Sequence, residues 1–135
     1  RSKIIKHFLN DYEGTSKTEK DFKSVYKKVK RNKKYFISIM DIIVLESLIA
    51  DGVTLPESLK IDTISSELTV PESLNKLAKD RQVGLVMLKI IEIIGEDKTQ
   101  NLDPETIYFL TKILNELNLK KIRNKILSET LPLKV

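Results

Sequence analysis

His7 is the only histidine of the 135-residue chain, and its neighbours decide what chemistry it could perform. A general base or a zinc ligand needs partner groups. No second His, no Cys, and no Glu at the next position or four residues on accompanies His7. The sequence therefore predicts a structural histidine at the surface or half-buried, and no metal site.

Other signatures of catalysis are also missing from the sequence. No G-x-S-x-G turn exists to present a nucleophilic serine. The four glycines are isolated, so neither Gly-rich phosphate-binding motif is present. The paired carboxylates Glu96–Asp97 and Asp103/Glu105 fall at expected helix ends, where polar residues are common. We therefore expect no enzyme activity, no catalytic residues and no cofactor.

A basic segment at residues 17–34 offers the main candidate for ligand binding. Residues 1–35 hold 12 Lys/Arg against 4 Asp/Glu, whereas residues 36–135 hold 12 against 15. The candidate contacts are Lys20, Lys23, Lys27, Lys28, Lys30, Arg31, Lys33 and Lys34. Such residues could follow nucleic-acid phosphates, lie on an anionic membrane or meet an acidic protein.

A solvated helix face is the simplest interpretation of the same lysines. The chain has 20 Lys and 4 Arg, a bias that an AT-rich genome alone would produce. Proteins that recognise a specific nucleic-acid sequence rely on arginine for bidentate contacts with the bases. Arg31 is the one arginine of this segment. The identity of any partner of the basic segment stays open.

Composition indicates one domain over residues 1–135, with a basic segment 1–34 and an apolar helical core 35–131. Hydrophobic content of 41% and charged content of 32% are globular values. The absence of Cys excludes a disulfide framework. Charges interrupt both long apolar runs, so we expect a soluble protein without a membrane span. The compartment stays unknown, and we expect a further portion of the protein before Arg1.

Apolar periodicity predicts an all-α fold of about seven or eight helices. Thr18 is the expected N-cap of the helix at 19–31, Gly52 and Gly95 are expected helix stops, and Asp103 is an expected N-cap. The other expected helices cover residues 35–51, 71–80, 83–94, 104–117 and 119–128, with short helical turns within 56–68.

The segment 83–94, VGLVMLKIIEII, is apolar around most of its circumference. Such a helix is expected to be covered by other helices on most sides, and hence to form the centre of the fold. Lys89 and Glu92 are its only charges, and at a spacing of three residues they could pair at an interhelical edge.

The later helices, joined by short turns, predict antiparallel hairpins. They would form either an α-superhelical, degenerate helical-repeat arrangement or an irregular bundle. From about residue 36 onward, the stretches ESLIADGVTLP, GLVMLKIIEIIGE and LDPETIYFLTKILNELNLKKIRNKIL resemble poorly characterised helical proteins of alphaproteobacteria. The last stretch also resembles a tetratricopeptide-like hairpin. The resemblance implies an all-helical fold and carries over no activity.

Two functions are compatible with these features. The favoured one is a non-catalytic helical-repeat module that binds a protein or peptide through an exposed apolar or shallow concave patch. The alternative is a nucleic-acid-binding helical domain that uses residues 17–34, and it requires their lysines to lie on one side. The oligomeric state stays open.

Overall fold

The computed structural model describes residues 2–9, 15–31, 38–56, 68–95 and 101–131. Within these ranges the chain is all-α, as predicted, and no strand is present. A short helix α1 (Ser2–Ile5) continues as a 3-10 turn (Lys6–Phe8). Six longer helices follow: α2 (Thr15–Arg31), α3 (Ile39–Ala50), α4 (Glu72–Lys79), α5 (Val83–Ile94), α6 (Pro104–Glu116) and α7 (Lys120–Thr130). The helical turns expected within 56–68 fall mostly outside the described residues.

Three of the helices end in the same hydrogen-bonded turn, with a residue in the left-handed conformation just after the helix. These residues are Gly52 after α3 (φ 88°), Arg81 after α4 (φ 57°) and Asn118 after α6 (φ 59°). In each turn the backbone N–H of the residue after the left-handed one donates a hydrogen bond to the carbonyl five residues earlier. One example is the 3.0 Å hydrogen bond from Val53 N to Leu48 O. This Schellman motif satisfies helix-end carbonyls and reverses the chain sharply. Gly52 is therefore the stop that the sequence predicted.

Helices α3 and α6 each begin after a residue whose side chain caps the helix N-terminus. The Asp103 carboxylate accepts the Thr106 N–H at 2.8 Å, which confirms the predicted N-cap of α6. At α3 the Ser38 hydroxyl accepts the Asp41 N–H at 3.1 Å, and the Asp41 carboxylate accepts the Ser38 N–H at 3.0 Å. The predicted N-cap at Thr18 is wrong, because α2 begins at Thr15 and Thr18 is a buried residue inside it.

Among the longer helices whose burial is fully described, α6 is the best buried, not α5 as predicted. Six of the thirteen residues of α6 are buried: Ile107, Tyr108, Leu110, Thr111, Ile113 and Leu114. Only Val86 and Ile90 are buried in the twelve residues of α5. The prediction failed because apolar composition shows that a helix could be covered, whereas the position of the helix decides whether it is.

Packing joins helices that are distant in the chain. Helix α6 packs most extensively against α3, and it also contacts α7 and α4. Helix α5 packs mainly against its sequence neighbour α4, and α7 contacts the turn Lys6–Phe8. None of the described helices is both long and apolar enough to span a membrane. The core therefore sits between α3, α6 and α7, and α5 lies at its edge.

Candidate functional site

Four lysines of α2 lie along one exposed side of that helix. The side chains of Lys20, Lys23, Ser24, Lys27 and Lys28 line a shallow depression of about 380 Å³. The opposite side carries the buried Phe22, whose ring stacks on Tyr26 with centroids 6.0 Å apart. Four of the predicted contact residues are thus brought together by a single helix.

The side chains of the remaining candidates of the basic segment lie outside the described part of the structure. The backbones of Lys30 and Arg31 belong to the last turn of α2, and Lys33 and Lys34 lie outside the described residues. The four lysines that are described carry positive charge on one side and would repel one another without a counter-ion. The arrangement suits an anionic ligand that extends along the helix.

A second cluster, buried and polar, forms where the end of α3 meets α7. Arg123 holds the Asp51 carboxylate with both terminal nitrogens, Nη1 at 2.7 Å from Oδ1 and Nη2 at 2.6 Å from Oδ2. Arg123 also donates to Asn124 through Nε at 3.0 Å and to Asn115 through Nη1 at 3.0 Å. The Arg123 side chain is 1% exposed and that of Asp51 is 2% exposed. Such a two-pronged contact needs the planar guanidinium of arginine.

His7 extends this cluster to the N-terminal segment and α2. Its Nε2 lies 2.7 Å from Asp51 Oδ2, and its Nδ1 lies 2.8 Å from Thr18 Oγ1. The expected surface or half-buried position of His7 is wrong, because the residue is only 2% exposed. Each buried side-chain nitrogen or oxygen of the described residues has a hydrogen-bond partner. The cluster therefore ties α2, α3 and α7 to the turn that carries His7.

The Asp51 carboxyl stays ionised in this setting. Burial by itself raises the pKa of Asp51, since it disfavours the charged form. The hydrogen bonds from His7 and Arg123, together with their charges, outweigh burial and lower the pKa from 3.8 to about 2. A fixed negative charge thus balances the buried guanidinium of Arg123, which removes much of the cost of burying either group alone.

The row Thr18–His7–Asp51 has the group types of a nucleophile, a base and an orienting carboxylate. Its distances are those of hydrogen bonds, yet Thr18 is 5% exposed and His7 is 2% exposed. A reacting carbon must come within about 3 Å of the hydroxyl oxygen, and the low exposure of Thr18 leaves a substrate little access to it. The Asp51 carboxylate is also already held by Arg123. This geometry suits a structural link between elements.

The third feature is an exposed apolar side of α5. Three of its residues project furthest from the core: Leu85 is 49% exposed, Leu88 63% and Ile91 62%. Helical geometry places Gly84 beside them, and a Cβ built on Gly84 would meet no atom of the described residues within 4 Å apart from its chain neighbours and the adjacent backbone of α5. We call these four residues the outer face of α5. Val83 and Ile93 flank it, 39% and 37% exposed.

Two opposite charges border the outer face of α5 on one edge. Lys89 Nζ lies 3.4 Å from Glu92 Oε2, with side chains that are 53% and 72% exposed. The predicted pairing of these residues is therefore present, but no second helix of the described chain covers it. The edge has no net charge, which distinguishes it from the lysine side of α2.

Sequence reasoning missed the buried cluster because its members are far apart in the chain. His7 and Asp51 are 44 residues apart, and Asp51 and Arg123 are 72 apart. One usable signal was the residue type at position 123. The chain has 20 Lys and 4 Arg, so an arginine among the apolar residues of α7 indicates a site that needs the planar guanidinium and its paired N–H donors.

Within the described residues, no group of three or more acidic or histidine side chains is arranged to hold a metal ion. Comparison with known protein families, curated proteins and solved structures finds no match to this chain. The resemblance of residues 36–135 to helical proteins of alphaproteobacteria stays a prediction.

Proposed function

We propose that this chain is a non-catalytic helical interaction module that binds a protein through the outer face of α5. The observation that carries the proposal is the exposure of Leu85, Leu88 and Ile91, which lie together on one helix at 49% to 63% exposure. Single exposed apolar residues are ordinary, whereas a contiguous group of large ones marks a binding surface.

The energetics favour covering this face. Removing a fully exposed Leu or Ile side chain from water is worth about 1.5 to 3 kcal/mol. Leu88 and Ile91 each leave more than half of their surface in water. Covering both would stabilise a complex by roughly 2 to 4 kcal/mol before the cost of association is subtracted. That gain comes from the centre of the face, where energetically dominant contacts usually lie.

The buried cluster supports a role without catalysis. Its hydroxyl, imidazole and carboxylate are joined by hydrogen bonds and are nearly fully buried, and the Arg123 guanidinium holds the carboxylate. An arrangement of this kind holds elements in place. It leaves the exposed faces of α2 and α5 as the places where a partner could bind.

The arrangement that we infer is an irregular bundle, not a superhelix of repeats. In a solenoid each hairpin contacts only its neighbours. Here α3 packs on α6 across the intervening α4 and α5, and α7 contacts the turn Lys6–Phe8. The full helix count stays a prediction, since residues 57–67 lie outside the described part of the chain.

Site-specific photocrosslinking tests the interaction module. A photoreactive amino acid at position 88 should give protein adducts in cells that naturally make the protein, whereas the same group at position 121 should give none. Lys121 is an exposed residue of α7, outside the outer face of α5. Equal adducts at both positions, or none at position 88, would contradict the proposal.

A second candidate function is nucleic-acid binding by α2. The observation that favours it is the shared depression lined by Lys20, Lys23, Lys27 and Lys28. Phosphates spaced along a strand would neutralise these charges and release counter-ions. An anionic lipid surface or an acidic protein could use the same lysines, and salt dependence alone does not separate these ligands.

A further inference from the structure

We propose that the partner of the outer face of α5 is a second copy of this chain, with the two α5 helices packed antiparallel about a two-fold axis. The inference rests on the proposed function, which assigns binding to this face, and it adds the identity of the partner. The residues that carry it are the apolar Leu88 and Ile91 and the charged edge Lys89–Glu92.

The charges along the edge of α5 favour a second copy of this chain as the partner. A two-fold interface uses the same patch on both subunits, so the patch must be complementary to itself. The edge of α5 carries one positive and one negative group, at positions 89 and 92. An axis perpendicular to the helix, passing near residue 90, places Lys89 of each copy opposite Glu92 of the other. Both charges then gain a partner across the interface.

The orientation follows from the same edge. If the two α5 helices packed parallel, the charged edge of one helix would lie against the apolar edge of the other. Met87 and Ile94 lie on that apolar edge. The antiparallel pair brings charged edge against charged edge. It also sets Leu88 of one copy against Ile91 of the other, so that the two most exposed large apolar residues of the described part of the chain cover one another.

Gly84 fits the same arrangement. No contact among the described residues requires the missing side chain at Gly84, since a Cβ there would meet no atom within 4 Å apart from its chain neighbours and the adjacent backbone of α5. In the antiparallel pair, Gly84 lies opposite the end of the partner's helix at Gly95. Two residues without side chains there let the backbones approach closely.

An acidic, basic or lipid partner fits this face less well. The charged edge is neutral overall, so it would attract neither the phosphates of nucleic acid nor an anionic bilayer. Those ligands would favour the lysine side of α2 instead. A neutral, self-complementary edge beside an apolar centre is matched by the chain's own α5.

Sedimentation velocity over a range of protein concentrations tests the dimer. The wild-type chain should move from one species of 15.5 kDa to one of twice that mass as concentration rises. Leu85→Glu and Leu88→Glu should stay monomeric at concentrations where the wild type is dimeric. Ile49→Glu is the matched control, because Ile49 is as exposed as Leu85 at 49% but lies on α3. Circular dichroism checks that each variant keeps its helices.

Charge reversal tests the antiparallel register. Lys89→Glu and Glu92→Lys each replace two attractive cross-copy pairs by two repulsive ones, and each should weaken the dimer about tenfold. An equimolar mixture of the two variants should form a heterodimer with nearly the wild-type dissociation constant. Lys76→Glu on α4 should leave the dimer unchanged.

Several outcomes would overturn the inference. They are a wild-type chain that stays monomeric at several hundred micromolar, a dimer unaffected at Leu88, and a mixture of charge variants that fails to associate. If the chain is monomeric but photocrosslinks at position 88 to a different protein, the dimer fails while the interaction module stands. If it is monomeric and gives no adduct, both fail.

Discussion

The Asp51 carboxylate contacts an arginine, a histidine and a lysine at once. Arg123 and His7 lie at hydrogen-bond distance from it, and Lys120 Nζ is 3.6 Å from Oδ1. The partners differ in exposure: the Lys120 side chain is 42% exposed, whereas those of Arg123 and His7 are 1% and 0% exposed. Exposed ion pairs contribute little to stability, whereas removing one partner of a buried pair is costly.

Stability should therefore depend on pH through Asp51. Its pKa is near 3.8 in the unfolded chain and about 2 in the folded one, so the unfolded state binds the proton first as pH falls. The contribution, about 2 kcal/mol, is present above pH 3.8 and is lost as pH falls toward 2. Urea denaturation from neutral pH down to that range measures it.

Two variants make this prediction specific. Asp51→Asn should lower the free energy of unfolding at neutral pH and remove this part of its decline in acid, because the amide does not titrate. Lys120→Met should leave the acid profile nearly unchanged, because the Lys120 side chain is 42% exposed and its ion pair with Asp51 is screened by solvent. An Asp51→Asn variant with the wild-type profile would show that other carboxyls cause the decline.

At the scale of the helices, local chemistry was readable from the sequence and long-range placement was not. Gly52, Gly95 and Asp103 were recognised as helix ends because turn conformation and capping depend on adjacent residues. Thr18 was misread as a cap because its hydroxyl bonds to His7, eleven residues earlier. A residue that suits a helix end can equally serve a buried contact, and only the tertiary structure distinguishes the two.

The dependence on tertiary structure also explains why the prediction that α5 forms the centre of the fold was wrong. Its apolar residues fit burial on all sides, but the described fold covers only the side of Val86 and Ile90. Helix α6 is less apolar around its circumference and is nevertheless the better buried. Its Thr111 hydroxyl donates to the Ile107 and Tyr108 carbonyls at 2.9 Å, which lets a polar residue enter the core.

If nucleic acid binds to the exposed lysines of α2, we expect the binding to depend strongly on salt. A labelled DNA duplex, followed by fluorescence anisotropy, should bind with micromolar affinity at low salt and weaken steeply as salt rises. Changing Lys20, Lys23, Lys27 and Lys28 to Glu should abolish binding, because these side chains line the depression. The control pair Lys76→Glu and Lys79→Glu alters exposed lysines of α4.

The alternatives for α2 are separated by changing the ligand. Binding to vesicles that contain anionic lipid, with none to DNA, would assign the lysines to a membrane surface. No binding to either ligand at low salt would leave a solvated helix face or a site for an acidic protein. Because the tested lysines face away from Phe22, the quadruple variant should keep α2 folded.

For the whole molecule, the uneven burial of the helices predicts uneven opening. Helix α6 contacts α3, α4 and α7 and buries six residues, whereas α5 packs mainly on α4 and buries two. Regions with few buried contacts open at lower free energy. Native-state hydrogen exchange should therefore show α5 exchanging faster than α6 in dilute protein, although the two helices differ in length by one residue.

Protein concentration connects this difference to function. If α5 pairs with a second copy, its exchange should slow as concentration rises, because opening must then also break the dimer. Exchange in α6 should change less, since the surrounding helices already protect it. Leu88→Glu should abolish the concentration dependence at α5 and leave α6 as it was. Exchange at α5 that is independent of concentration in the wild type would mean that this helix does not mediate self-association, and photocrosslinking at position 88 would then decide whether a different protein binds there.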